Sequence, residues 1–163
     1  MTLRIREAAT ADIDFLAAML LEAVNWRQDQ QPATLQSIMN SPDLWHYLSD
    51  WKRNSDFGFL ALEEEDTPVG ASWARFMTAD DPGYGYVDEG IPELGMGVLS
   101  THRGQGVGRA LLARTIQASA DRGFLGLSLS VEDGNERAHA LYVRCGFVVA
   151  RQVGNSDTMV LRF

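Results

Sequence analysis

Cys145 is the single cysteine among 163 residues, so no disulfide can close within the chain. That shortage suits a reducing compartment. Basic residues are also scarce: Lys and Arg together number 14 against 22 Asp and Glu, a formal net charge of −8. A protein held by nucleic-acid phosphates or by an anionic bilayer needs the opposite balance, so neither partner is expected. No apolar run approaches the roughly 20 residues that span a membrane. The opening MTLRIREAATADIDF lacks the apolar stretch and small-residue cleavage site of a secretion signal. Together these shortages predict a soluble, cytoplasmic chain.

Apolar residues make up 45% and charged residues 22%, the balance of an ordinary folded domain. No repeat, low-complexity tract or linker interrupts it, so one domain over residues 1–163 is expected. LRIRE, from Leu3, alternates apolar and polar residues as a half-buried strand does. Ile13, Leu16, Leu20 and Val24 then recur at helical spacing, with Thr10 or Asp12 as N-cap. A second helical region from about Thr34 to Trp51 is broken where Pro42 starts a new turn.

FGFLALEEED and PVGASWARF read as two strands joined by a solvated acidic turn, Glu63 to Asp66. DDPGYGYVDEG is a loop or irregular hairpin. ELGMGVLS, from Glu93, is a strand whose glycines at 95 and 97 suggest a bulge or a close backbone approach. LGLSLSV alternates strictly. In NERAHALYVRCGF, Ala138, Leu141, Tyr142 and Cys145 form one helical stripe and Gly146 stops the helix. Two strands, Phe147 to Val153 and Asp157 to Phe163, close the chain. Such an order fits the α+β class.

The stretch THRGQGVGRALLAR, Thr101 to Arg114, sets three alternate glycines at the mouth of a helix. A helix N-terminus has N–H groups without intrahelical partners and a partial positive charge, which together stabilise a phosphate. Gly104, Gly106 and Gly108 let the backbone turn tightly and come close to such an anion. Arg103 and Arg109 add positive charge on either side. A phosphate-cradling P-loop is excluded because no Lys follows at the required spacing. The dinucleotide fingerprint fails too, since residue 109 is Arg where its third glycine belongs.

In this region the chain resembles the GCN5-related N-acetyltransferase (GNAT) family. That family's pyrophosphate loop runs Arg or Gln, two residues of any kind, Gly, any residue, then Gly or Ala. Arg103, Gly106 and Gly108 match it. Val98 holds the usual apolar position before the loop, while Ser100 stands where proline is frequent. Downstream, Asn135, Ala138, Leu141, Tyr142, Gly146 and Phe147 are in register with the family's next strand and helix. The likeness is strong from Glu93 to Phe147 and thin from Trp26 to Gly90. It implies a three-layer α/β/α sandwich around a mixed, splayed sheet of about six to seven strands. It implies acetyl-CoA as co-substrate, its pantetheine pairing with the backbone near Val98 and Leu99. The pyrophosphate would rest on the amides of Arg103, Gly104, Gly106, Val107, Gly108 and Arg109, with Asn135 contacting the cofactor as well as capping its helix.

Acyl transfer from a thioester to an amine needs a base, because an alkylammonium with a pKa of roughly 10 has no lone pair. It also needs an oxyanion donor and an acid for the leaving thiolate. The resemblance assigns the acid to Tyr142 and a water-mediated base to Glu93. Asp88 and Glu89 are rival bases on the preceding loop. A backbone N–H near Val98 would serve the oxyanion. Cys145 reads as packing, and His102 and His139 lack metal-ligand spacing, so no metal is expected. Trp51 and Trp73 read as core, with Trp26 and Trp45 open as acceptor-site candidates. The acceptor is a small-molecule or peptide amine whose identity is not written here. The resemblance also allows a homodimer. A non-catalytic acyl-CoA-binding regulator is the competing reading.

Overall fold

The structure, a computed structural model, describes residues 2–163. The chain threads two compact units. One runs through Trp73 and resumes over Gly95–Thr115; the other comprises Ala74–Leu94 and Ile116–Phe163.

In the first unit β1 (Arg4–Glu7) pairs antiparallel with β2 (Phe57–Leu62), Arg4 opposite Leu62 and Glu7 opposite Phe59. β3 (Pro68–Arg75) and then β4 (Glu93–Val98) follow in the strand order. Both of these strands cross into the second unit, β3 at its last two residues and β4 at its first two. α1 (Ile13–Val24) follows β1. Asp12 does not cap it through a side-chain bond, as the spacing suggested. Its carboxylate instead accepts from the Ala9 N–H and from the Arg6 guanidinium, which holds it below the usual carboxylate range. α2 (Leu35–Met39) is capped by Thr34, whose hydroxyl accepts from the Ser37 N–H at 3.1 Å. α3 (Pro42–Trp45) starts on the proline, whose fixed φ suits a first helical position.

The glycines of β4 mark close approaches. A Cβ at Gly97 would sit 2.2 Å from the Met19 carbonyl oxygen of α1, and one at Gly95 would meet the Trp73 ring at 2.6 Å. Trp73 is fully buried and donates its indole N–H to the Tyr47 carbonyl at 3.1 Å; Trp51 donates to Ala9 at 3.0 Å. Both are core, as expected, and each buried donor is satisfied. Trp26 and Trp45 are half-buried. Ser72 and Thr115, also buried, share a hydroxyl–hydroxyl bond of 2.7 Å.

In the second unit β5 (Gly126–Glu132) pairs parallel with the start of β4 at Glu93 opposite Ser128, and antiparallel along its length with β7 (Ser156–Arg162). β6 (Val148–Val153) pairs with β7 and forms the edge. Its register shifts between Val149 and Arg151, and Val148 and Val149 are exposed. The strict alternation of β5 does not produce a wet face, since Ser128 is as buried as Leu127.

α4 (Val107–Asp121) begins in the first unit and ends in the second, where Gly123 stops it at φ 77°. The Gly123 N–H returns to Ala120 and the Phe124 N–H to Ser119, the paired bonds of a Schellman stop. α5 (Glu136–Arg144) precedes β6. Seven strands thus pair in both senses, the mixed sheet of an α+β protein.

A methyl group at position 97 must push α1 from β4. Gly97→Ala is expected to lower the unfolding free energy by about 1–3 kcal/mol, measured by urea denaturation.

Candidate functional site

In the first unit β4 runs through Val98 and Leu99 into a short 3-10 turn, Ser100–His102, and then into the glycine loop. Gly104 and Gly106 have φ of 75° and 87°, a region that an L side chain enters only at about 1–2 kcal/mol. A Cβ at Gly106 would meet nothing within 4 Å. Backbone shape, and not crowding, therefore calls for glycine there, and the space beside it is open to a ligand. Val107 is buried at the first turn of α4 and Arg109 is exposed.

Two acidic side chains reach the loop. The guanidinium of Arg103 is engaged by Glu22 of α1 at 3.0 Å, so the exposed cation beside the loop is Arg109. The turn from Glu63 to Asp66 is not merely solvated: the Glu63 carboxylate meets His102 Nε2 at 3.0 Å, and Asp66 pairs with Arg4. Thr101 Oγ1 bonds the other ring nitrogen of His102 at 2.9 Å. The loop is thereby tied at both 102 and 103 to acidic residues of its own unit. The Leu99 N–H donates to Val69 and its carbonyl accepts from His102, both at 2.9 Å.

The second unit holds Glu93, Asn135 and Tyr142. Asn135 caps α5, its side-chain oxygen 3.5 Å from the Ala138 N–H. Tyr142 lies about two turns further along the same helix. The expected apolar stripe of α5 is only partly buried: Ala138, Leu141 and Cys145 are half-exposed, and Tyr142 alone is buried. The helix stop explains its placement. Gly146, at φ 98°, donates to Val143, and Phe147 donates to Tyr142, each at 3.0 Å. That Schellman geometry brings the Phe147 and Tyr142 rings to 6.0 Å, 60° between planes. Burial pushes the Tyr142 hydroxyl up to about 12, with Cys145 a lesser cause. The phenol therefore keeps its proton at neutral pH.

Of the three carboxylates considered as base, Asp88 and Glu89 are exposed and Glu93 is 2% exposed. Asp88 accepts from the Gly90 N–H and Glu89 from the Ala79 N–H. Glu93 Oε1 accepts from the Gly85 N–H at 2.8 Å. Sequence reasoning passed over Gly83, Gly85 and Thr158, which surround this carboxylate directly or through one peptide. Their signal was the G-Y-G of an apparently featureless loop. Among the described residues no cluster of His, Cys, Asp and Glu could hold a metal ion, and no helix is long and apolar enough to cross a membrane.

A family model described as acetyltransferase (GNAT) family matches residues 20–147. The chain belongs to that family. It is 31% identical over 153 residues to a mycothiol acetyltransferase of Propionibacterium freudenreichii subsp. shermanii, an alignment covering 93% of this chain and 45% of the relative. The chain spans less than half the length of the curated relatives it matches. The PaiA N-acetyltransferase of Thermoplasma acidophilum, solved in complex with coenzyme A, superimposes with a TM-score of 0.71 at 15% identity over all of both chains. The yncA protein of Salmonella typhimurium, solved with its cofactor acetyl-CoA, gives 0.69 at 19% identity, covering 99% of this chain and 94% of that one. Both share the fold.

The raised Tyr142 pKa has a thermodynamic signature. Below pH 10 the folded and unfolded chains both keep this proton; between 10 and 12 only the folded one does, so stability falls as pH rises. From pH 9 to 11 the wild type is expected to lose ~1 kcal/mol more unfolding free energy than Tyr142→Phe, measured by urea titration at each pH.

Proposed function

We propose that the protein is an acetyl-CoA-dependent N-acetyltransferase that passes the acetyl group directly to the primary amine of a small molecule in a ternary complex. The observation that carries this is the loop of left-handed glycines, Gly104 and Gly106, opening α4 beside exposed Arg109, in a chain of the GNAT family. Relatives named mycothiol acetyltransferases support a small-molecule acceptor.

The loop fits a diphosphate on three counts: amides gathered at a helix start, a backbone that only glycine relaxes into, and open space at Gly106. Amides from Arg103 to Arg109 hold the phosphates, and Arg109 adds charge. Arg103 acts mainly by anchoring the loop to Glu22. The backbone of Val98 and Leu99 pairs with the pantetheine; the Leu99 N–H is already given to Val69, and its carbonyl keeps a second lone pair beside the His102 bond. Asn135 contacts the cofactor while capping α5. Acetyl-CoA supplies the activated acyl group. Glu93 draws the amine proton away through water. Tyr142, protonated at neutral pH, donates to the departing thiolate.

Release of free thiol from acetyl-CoA across a panel of amines tests the reaction. Turnover on at least one small amine is expected; calorimetric coenzyme A binding with no turnover on any would favour the regulator. With the best amine, Tyr142→Phe is expected to lower kcat roughly 10²-fold with little change in the KM for acetyl-CoA. Unchanged kcat removes Tyr142 from the mechanism. Gly106→Ala is expected to weaken coenzyme A binding at least tenfold, for its φ must change or strain; calorimetry reads it.

A further inference from the structure

We propose that the turn Gly83–Tyr86 is the device that positions the Glu93 carboxylate, with Gly83 and Thr158 as positioning residues for the base; this rests on Glu93 acting as that base. A carboxylate 2% exposed must be held by donors, since burial without them is expensive. One donor is the Gly85 N–H, 2.8 Å from Oε1. The carbonyl of the same peptide unit, on Tyr84, accepts from Thr158 Oγ1 at 2.7 Å. Thr158 is fully buried on β7. Its hydroxyl therefore grips one end of the peptide whose other end grips Glu93. Bonds at both ends of an amide polarise it in the same sense and strengthen each other. Arg151 of β6 donates to the Tyr86 carbonyl, and the Tyr86 N–H closes the turn on Gly83 at 3.1 Å.

Gly83 supplies the room. Its φ is not in the left-handed region, so backbone conformation does not require glycine. A Cβ there would lie 2.1 Å from Glu93 Oε2 and 2.4 Å from Oε1, the nearest atoms to it. Alanine at 83 must displace the carboxylate itself. Gly85 is a poorer probe, because its Cβ would meet the main chain of Leu129 at 2.5 Å. Gly83→Ala, and Thr158→Val, which removes the hydroxyl and keeps the shape, are thus the selective changes.

Steady-state kinetics with acetyl-CoA and the best amine are measured for both variants, for Thr158→Ser and for each change combined with Glu93→Gln. Thermal melts and the Gly85 amide proton shift in labelled protein are recorded alongside. Gly83→Ala and Thr158→Val are expected to lower kcat roughly tenfold with the KM for acetyl-CoA unchanged. Thr158→Ser is expected to restore wild-type kcat, and the Gly85 amide proton to move upfield in Thr158→Val and Glu93→Gln alike. In the Glu93→Gln background neither change lowers kcat further. Full kcat in both single variants, with Glu93→Gln impaired, overturns the positioning role and leaves the base assignment standing. A loss that persists in the Glu93→Gln background, or follows the melting temperature in Thr158→Ser, also overturns it. Full kcat in Glu93→Gln overturns the base assignment and the inference with it.

Discussion

β4 carries no side chain where its neighbours press closest. Alternation along a strand puts Glu93, Gly95 and Gly97 on one side, and the last two are glycines because an indole ring and the main chain of α1 occupy the space a Cβ would need. Interiors are packed too tightly for such an approach to widen without loss. The strand that ends in Val98 is therefore held against α1 immediately before the chain turns into the glycine loop. Glu22 of the same helix then takes the Arg103 guanidinium at 3.0 Å. One helix thus seats the strand and steadies the loop that follows it.

The second unit reaches a similar end by a different route. A helix stop orients Tyr142: the bonds that terminate α5 at Gly146 fold Phe147 back onto its ring. The same pattern of paired return bonds ends α4 at Gly123, and there Phe124 meets Phe76 at 4.9 Å. In both cases glycine frees the chain to turn, and the aromatic after it anchors the turn in apolar surroundings. Burial gained this way makes the Tyr142 proton harder to remove.

Local rules made the elements legible. The spacing of Ile13, Leu16 and Leu20 placed α1, and Gly146 placed the end of α5, because helix period and left-handed stops act within a few residues. The glycine loop was legible for the same reason, its meaning lying in consecutive backbone angles. Partnerships across distance were not. Glu22 and Arg103 are 81 residues apart, Tyr84 and Thr158 are 74, and no local pattern links them. The Arg103 guanidinium and the Glu63 carboxylate both have partners that only folding supplies. Burial misled as well. The α5 stripe suggested a buried face, yet Tyr142 is the one residue of it that is buried, since a short helix at the surface shows most of its circumference.

β6 leaves one row of amides and carbonyls facing outward, with Val148 62% exposed among them. An even, apolar rim of that kind recruits further strands and seeds aggregates. The shift between Val149 and Arg151 spoils the spacing an incoming chain would have to match. That small irregularity, with exposed Arg151 beside it, discourages polymerisation through the rim.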